Sequence, residues 1–235
     1  RRLRGGLHFQ ANWVWAKNLG DVDDDGGVES GTLIENQFDR ATERGNARYT
    51  PRHRGIFNLM WELPWGEGKP WLNQGGLRHV FGDWVLTGNI LTQTGEFLTP
   101  SFAGGQDASN TNTIGGRPDR ICDGNLPKSE RTLQRWFDTS CFVVPPKGRF
   151  GNAGKGILEG PGRFVLNLGL FKRFAINDGM WLRFQAMATN VLNRANFAVP
   201  NTNISDTNVG IISSVYSQSD FAGAREIMLG VRLEF

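Results

Sequence analysis

A run of acidic residues near the start of the chain has the spacing of a calcium-binding loop. Asp21, Asp23 and Asp25 are followed by Gly26, which is the order in which an EF-hand loop begins. The twelfth position, where such a loop needs a bidentate glutamate, is Thr32. Two interpretations stay open: a solvated acidic turn without a ligand, or a weak calcium loop formed by Asp21, Asp23, Asp25 and Glu29.

The chain has only two cysteines, and both lie in one long polar segment. An even number of cysteines in an exported loop favours a disulfide over a metal site, which would need further ligands. No histidine lies in that segment. In the entropic model, closing a loop of this length contributes roughly 3 kcal/mol. We predict a disulfide between Cys122 and Cys141, with two free thiols as the alternative.

No pattern in the sequence indicates an enzyme. The stretch GNAGKG at 151–156 is not a phosphate-binding loop, because Arg149 and Gly156 stand where that motif needs Gly and Ser or Thr. The three histidines stand apart, and no carboxylates pair in a way suited to acid–base catalysis. We therefore expect no catalytic activity and no cofactor other than the calcium considered above. No basic run is interleaved with aromatic residues, so nucleic acid is not expected as a partner.

These residues must be positioned by strands, because alternation of apolar and polar residues dominates the sequence. From Leu3 to Trp15 every second residue is apolar or small, and the others are polar apart from Gly6 and Val14. Such a stretch is longer than a typical soluble strand and fits a tilted membrane-spanning strand. The chain is predicted to be all-β, with about six antiparallel amphipathic strands and one short helical turn at 130–138. The five further alternating stretches lie around residues 54–63, 84–93, 163–170, 181–189 and 226–235.

The connections between the predicted strands alternate in length. Long loops at one edge of a sheet and short turns at the other are typical of outer-membrane barrels, whose short turns face the periplasm. The mean hydropathy of −0.37 and the absence of a long apolar run exclude a transmembrane helix but allow a membrane β-barrel. Residues 18–50, 96–161 and 192–224 form the long connections, and 64–82 and 175–180 the shorter ones.

Six of the eight tryptophans fall near predicted strand ends. Indole rings prefer the headgroup level of a bilayer, so we predict two bands of membrane-interface aromatics. The alternative is that these rings fill the core of a soluble β-sandwich. The expected interface residues are Trp13 and Trp15 at a long-loop end, and Trp61, Trp65, Trp84 and Trp181 at short-turn ends.

Stretches along the whole chain carry a resemblance to a known family. They are ANWVWAKNLGD, RGIFNLMWELPWG, GDWVLTGNILTQTGEFLTP, RPDRICDGNLP, RWFDTSCFVVPP, FGNAGKGILEGPG, FQAMATNVLNRANFAVPNT and AREIMLGVRLEF. In this order they resemble the C-terminal β-barrel region of TonB-dependent outer-membrane transporters, closest to the Oar-like group. The resemblance implies a barrel of roughly 22 strands. Residues 1–235 would be its C-terminal portion, a fragment without the plug domain.

The resemblance also implies a function and a set of partners. The function is uptake of a substrate across the bacterial outer membrane, with energy supplied through TonB. The partners would be outer-membrane lipid, the TonB system through an N-terminal part, the barrel assembly machinery and an unknown transported ligand. The assembly machinery would recognise the final strand through Val231, Leu233 and Phe235.

The polar positions of the strands would line the barrel lumen. In the family this wall contacts the plug and the transported ligand, although simple hydration of the lumen is equally compatible with the pattern. These residues are His8, Gln10, Asn12, Arg54, Asn58, Glu62, Asn89, Gln93, Asn167, Arg173, Arg183 and Gln185.

Two other classes of function remain as alternatives. One is a passive porin or an adhesion or structural barrel, which long loops would suit equally well. The other is a secreted β-sandwich that binds carbohydrate.

Overall fold

The computed structural model of the chain describes residues 5–21, 34–36, 38–103, 107–112, 115–217 and 222–235. Within these residues there are twelve strands, the α-helix α1 (Leu77–Phe81) and the 3₁₀-helix Thr139–Cys141. No helix in the described ranges has the length and apolar character needed to cross a membrane. The strands are β1 (Leu7–Trp15), β2 (Leu19–Gly20), β3 (Gly45–Asn46), β4 (His53–Glu62), β5 (Val85–Gln93), β6 (Phe97–Leu98), β7 (Asp119–Arg120), β8 (Phe142–Val143), β9 (Leu158–Glu159), β10 (Arg163–Asn177), β11 (Met180–Thr189) and β12 (Glu226–Glu234).

One six-stranded antiparallel sheet dominates the fold, in the order β1-β4-β5-β10-β11-β12. Each long strand pairs with the long strands next to it in sequence, so the chain runs up and down across the sheet. Strands β1 and β12 form the two edges. The prediction of an all-β chain with about six amphipathic strands is confirmed. The size of the whole barrel, which the resemblance puts at roughly 22 strands, stays a prediction.

The connections give the sheet two different ends, as the sequence predicted. Residues 16–52, 94–162 and 190–225 connect strands at one end, which we call the long-loop edge. Residues 63–84 and 178–179 connect strands at the other end, the short-turn edge. The layout is that of an outer-membrane barrel wall, in which the long loops are extracellular.

The described parts of the three long connections pack together, and we call this unit the loop module. Three small sheets form within it, from β2 with β3, β6 with β9, and β7 with β8. The module has its own hydrophobic core, to which β6, β8 and β9 contribute, so this part of the chain is organised like a small soluble domain. The core residues are Leu98, Phe137, Cys141, Phe142 and Leu158.

The helical turn predicted at 130–138 is absent from the structure, and that prediction is wrong. Backbone N–H groups of this stretch bond to distant carbonyls: Trp136 donates to Gly210 (2.9 Å) and Asp138 to Gly124 (2.8 Å). These groups are therefore not available for the local hydrogen bonds of a helix. The one α-helix of the described residues, α1, lies instead in the connection between β4 and β5.

Candidate functional site

The pairing register separates apolar and polar residues onto opposite faces of the sheet, because directly paired residues share a face. One row across the first four strands pairs Ala11 with Phe57, Phe57 with Ile90, and Ile90 with Leu166. On β12, Leu229 on the same face is 69% exposed. This apolar face is therefore continuous, and at Leu229 it is not covered by the described chain. The polar side chains that strands place on it include His53, Thr92 and Lys172.

Five of the six predicted interface tryptophans lie where a bilayer interface would meet the sheet. Trp13 and Trp15 are exposed on the apolar face at the long-loop edge. Trp61 and Trp84 are at the short-turn edge of the same face, and Trp65 lies in the connection between them. Their contact with membrane stays a prediction. Trp181 differs: it is at the short-turn edge, but its pairing with Ala175 and Glu234 puts it on the polar face.

Helix α1 lies against the apolar face at the short-turn edge, where Lys172 fixes it. The Lys172 ammonium donates to the carbonyls of His79 (2.6 Å) and Val80 (3.1 Å), the last turn of the helix. A cation near the last turn complements the helix dipole, and these bonds satisfy carbonyls that the helix leaves free. The indole of Trp84 donates to Val80 as well (3.0 Å). This contact was not predicted from the sequence. The signal that could have indicated it is Lys172, a single lysine among the apolar positions of β10.

The opposite face carries the polar side chains, and it holds all the residues predicted to line the lumen. Gln10 pairs with Asn58, Asn58 with Asn89, and Asn89 with Asn167. The amide of Asn89 donates to that of Asn58 across the two strands (2.7 Å). The row provides amide donors and acceptors side by side, which can hydrogen-bond water or a polar solute.

Arginines gather on the polar face at the short-turn edge. Arg173 pairs directly with Arg183, and Arg183 with Arg232. The Glu234 carboxylate is 3.2 Å from the Arg173 guanidinium and 3.8 Å from that of Arg183. One carboxylate thus pairs with two of the three guanidinium groups, so this end of the polar face is positive and suits anionic groups.

A second charged group, which we call the mouth cluster, joins the polar face to the loop module. It consists of Arg48, Glu96, Arg163 and Tyr216. Glu96 is buried and bonds to Arg163 (2.7 Å), Arg48 (3.2 Å) and the Tyr216 hydroxyl (3.0 Å). Burial, followed by the nearby Glu96 charge, raises the pKa of Tyr216, which stays protonated at neutral pH. The cluster was not predicted, since its members are far apart in sequence.

The predicted disulfide between Cys122 and Cys141 is present. Its Cα atoms are 4.9 Å apart, and Cys141 lies in the buried core of the loop module. The ring of Phe137 meets that of Phe142 edge-on, with centroids 6.0 Å apart. The disulfide therefore joins the core, at Cys141, to Cys122, which follows β7.

Buried charges also hold the loop module together. The guanidinium of Arg117 bonds to Glu43 (2.9 Å) and Glu35 (3.2 Å); the side chains of Arg117 and Glu43 are buried, and that of Glu35 is largely buried. Burial raises the pKa of Glu35 even though Arg117 acts in the opposite direction. Asp119 accepts bonds from the guanidinium of Arg149, which lowers the pKa of that carboxyl.

The acidic stretch considered as a calcium loop is described only at its first residue. The carboxylate of Asp21 forms an ion pair with Arg40, and this contact lowers the pKa of the Asp21 carboxyl. Asp23, Asp25 and Glu29 lie outside the described residues. In the described part of the chain, no group of three or more His, Cys, Asp or Glu side chains could hold a metal ion. Calcium binding stays a prediction.

The terminal strand has the form expected of an assembly signal. On β12, Val231 pairs with Phe184 and Leu233 with Leu182, so both lie on the apolar face. Phe235 follows the strand and is exposed. Recognition of these three residues by the assembly machinery stays a prediction.

Comparison with known families identifies this arrangement. The family model described as outer membrane beta barrel domain matches residues 1–227. The chain belongs to that family. No curated protein and no solved structure gave a significant match.

As an outer-membrane β-barrel domain, the chain lies in the bacterial outer membrane. The apolar face of the sheet is then the surface in contact with lipid, and the polar face is turned to the barrel interior. A soluble β-sandwich is ruled out by this membership and by the single large sheet of the described residues.

Proposed function

We propose that this outer-membrane barrel domain is the C-terminal barrel segment of a TonB-dependent transporter that takes up a substrate across the outer membrane. The observation that carries the proposal is the continuous polar face. It runs from the mouth cluster at the long-loop edge, through the amide row, to the arginines at the short-turn edge. The stretches that resemble Oar-like transporters support the TonB-dependent type of barrel.

In this proposal the loop module captures the substrate and the polar face guides it. The loop module is a folded unit with a buried core and a disulfide, so its surface is preorganised for binding. The amide row offers exchangeable hydrogen bonds of similar strength, which lets a polar solute move without being held at one point. No step requires covalent chemistry, and energy comes from the inner membrane through TonB.

Solute uptake by the native bacterium tests the proposal. Labelled ferric siderophores, oligosaccharides and peptides are offered to the wild-type strain, to a strain lacking the gene and to a strain lacking TonB. We expect that at least one solute is taken up only by the wild type, and that a protonophore abolishes this uptake. Uptake that persists without TonB and in the presence of the protonophore would contradict the proposal.

Conductance separates the transporter from a passive porin, which the continuous polar face also allows. The protein purified from outer membranes is inserted into planar lipid bilayers in potassium chloride. A transporter closed by its plug gives no stable open steps, whereas a porin gives regular conductance steps without an energy source. Steps that change ion selectivity when Arg173 and Arg183 are both replaced by Gln would assign the polar face to a porin.

A further inference from the structure

A cavity opens on the lipid-facing side of the sheet, just below the loop module. Its volume is about 400 Å³, and it lies where the apolar face ends and the module begins. The strands contribute Trp13, His53 and Thr92 from the apolar face and Gln93 from the opposite face. The loop module contributes Lys128, Arg131 and Trp136. The cavity is thus at the level of the outer-leaflet headgroups, with an aromatic and polar lining.

A groove of about 280 Å³ continues from this cavity along the apolar face. Trp13 and Thr92 line both spaces, so the two are contiguous. Further along, the walls are apolar and include Phe57 and Ile90. The floor is at Gly55, where an added Cβ would stand 3.0 Å from the Trp13 ring and 3.0 Å from the Thr92 methyl carbon. The groove depends on the absence of a side chain at this position.

The cavity carries an excess of positive charge. Arg131 is held in place by a bond from its Nε to the Leu126 carbonyl (2.8 Å), and its guanidinium lies over the Trp136 ring (5.6 Å). The Glu159 carboxylate, 3.5 Å from the Arg131 guanidinium, offsets one charge. Lys128 is exposed and has no ion pair among the described residues. Two cations therefore face one anion.

A histidine ring in the same cavity has a polar atom without a partner. The Nδ1 atom of His53 is buried and makes no hydrogen bond to any described residue. The ring packs against Trp13, with centroids 5.5 Å apart. A buried polar atom of this kind is costly unless another molecule supplies a partner.

We propose that the cavity and groove together bind one lipid with a phosphorylated headgroup in the outer leaflet. The phosphate lies against Lys128 and Arg131, a polar headgroup atom bonds to His53, and one acyl chain follows the groove over Gly55. The occupant is a lipid because the groove is part of the face that contacts lipid, and it is anionic because the cavity has excess positive charge. The site opens on the face that contacts lipid, so it serves to anchor the loop module at the membrane surface.

Native mass spectrometry of the protein purified in detergent tests lipid binding. Phosphatidylglycerol, lipid A and phosphatidylcholine are added in turn, and the fraction of protein carrying one lipid is measured. We expect one tightly bound phosphatidylglycerol or lipid A and at least fivefold weaker retention of phosphatidylcholine. Whichever of the two anionic lipids binds more tightly identifies the headgroup. Equal retention of all three lipids would overturn the proposal.

Variants assign the binding to this cavity. Lys128→Gln and Arg131→Gln are each expected to weaken binding of the anionic lipid about fivefold, since one favourable charge is lost. Lys147→Gln removes an exposed charge from the same module outside the cavity and should leave binding unchanged. Because Lys128 is exposed, its replacement keeps the fold intact. Unchanged binding by Lys128→Gln and Arg131→Gln would overturn the assignment.

The acyl-chain groove has its own test. Gly55→Leu fills the groove and is expected to weaken binding of the intact lipid, while a soluble glycerol phosphate of the same charge binds equally to both proteins. If the soluble phosphate displaces the lipid as well as unlabelled lipid does, the site is one for free phosphate and the lipid proposal fails. Quenching of tryptophan fluorescence by brominated acyl chains, lost in Trp13→Phe, provides a second measurement that does not depend on Gly55→Leu.

Discussion

The loop module buries its large apolar side chains, whereas the sheet exposes many of them. In the module Phe137 is only 1% exposed, whereas on the sheet Val231 is 66% exposed. The difference follows from what surrounds each region, because lipid covers the apolar face of the sheet and water surrounds the module. Apolar side chains are therefore buried inside the module but turned outward to lipid on the sheet.

The two regions also treat charge differently. The module buries both partners of an ion pair, Glu43 and Arg117. The apolar face buries a single charge, Lys172, and surrounds it with helix carbonyls. Lipid does not cover the loop module, so the stability of the module depends on specific contacts between its side chains. Each of these contacts can be removed by a substitution. The following variants test this contrast.

The largest loss is expected when Arg117 is replaced by Met. The change leaves Glu35 and Glu43 buried without their cation, which costs about 3–5 kcal/mol in the stability of the module. The measurement is the free energy of opening from hydrogen exchange of module amides, with the protein folded in lipid vesicles. Amides of the sheet should be unchanged.

Two controls test whether the loss in Arg117→Met comes from buried charge. Arg135→Met breaks an ion pair with Asp138 that is largely exposed, and it should cost less than about 1 kcal/mol. Because the pKa of Glu35 is raised, protonation favours the folded module as pH falls, so the loss in Arg117→Met should be smaller at low pH. An equal loss in both variants would mean that burial does not distinguish the two ion pairs.

The long strands of the sheet could be predicted because their chemistry repeats. Every second residue must face lipid, so positions such as Phe57 and Leu59 reveal their face without knowledge of the fold. Trp181 shows the limit of this reasoning. Trp181 is a tryptophan near a turn, which indicated a lipid interface. Its position in the alternation of β11, however, puts it on the polar face.

The loop module could not be predicted in the same way, because its contacts are long-range and have no period. Arg117 meets Glu35 and Glu43 across more than seventy residues of sequence. The stretch 130–138 has helix-forming residues, yet the backbone N–H groups of Trp136 and Asp138 bond to the distant carbonyls of Gly210 and Gly124. Only the disulfide could be inferred, since the chain has one possible cysteine pair.

Removal of that disulfide is the next largest perturbation. Replacing Cys122 and Cys141 together by Ser releases a closed loop with a sequence separation of 19 and is expected to cost roughly 3 kcal/mol. Limited proteolysis should then cleave the module while the barrel strands stay protected. A wild-type protein treated with reductant serves as the control and should show the same cleavage. Resistance of the double variant would mean that the core holds the module without the disulfide.

A charge placed on either face of β12 tests the lipid-facing surface. Leu229→Arg puts a cation on the apolar face and should cost roughly 2–3 kcal/mol of folding free energy. Met228→Arg makes the same change one residue earlier, on the polar face, and should cost almost nothing. The measurement is urea-dependent folding into lipid vesicles, followed by the shift in gel mobility. Equal losses would contradict the assignment of the two faces.

The smallest effect is expected at the ion pair of Asp119 and Arg149, through its dependence on pH. The bonds from Arg149 lower the pKa of Asp119 in the folded module, so the carboxylate form favours folding. This contribution is present above the unfolded pKa of 3.8 and is lost as pH falls through the lower folded value. Because Arg149 is half-exposed, Arg149→Met should destabilise the module much less at neutral pH than Arg117→Met does.

The expected signature is therefore a difference between two pH profiles. Hydrogen exchange of module amides should show wild type and Arg149→Met converging as pH falls from 3.8 through the lower pKa that Asp119 has in the folded wild type. Lys147→Gln removes a charge without this partner and should stay parallel to wild type at every pH. Glu35 acts in the opposite direction, since its raised pKa favours folding on acidification, and it is unaffected by either change. A constant gap between wild type and Arg149→Met would show that Arg149 supports the module by packing and not by its charge.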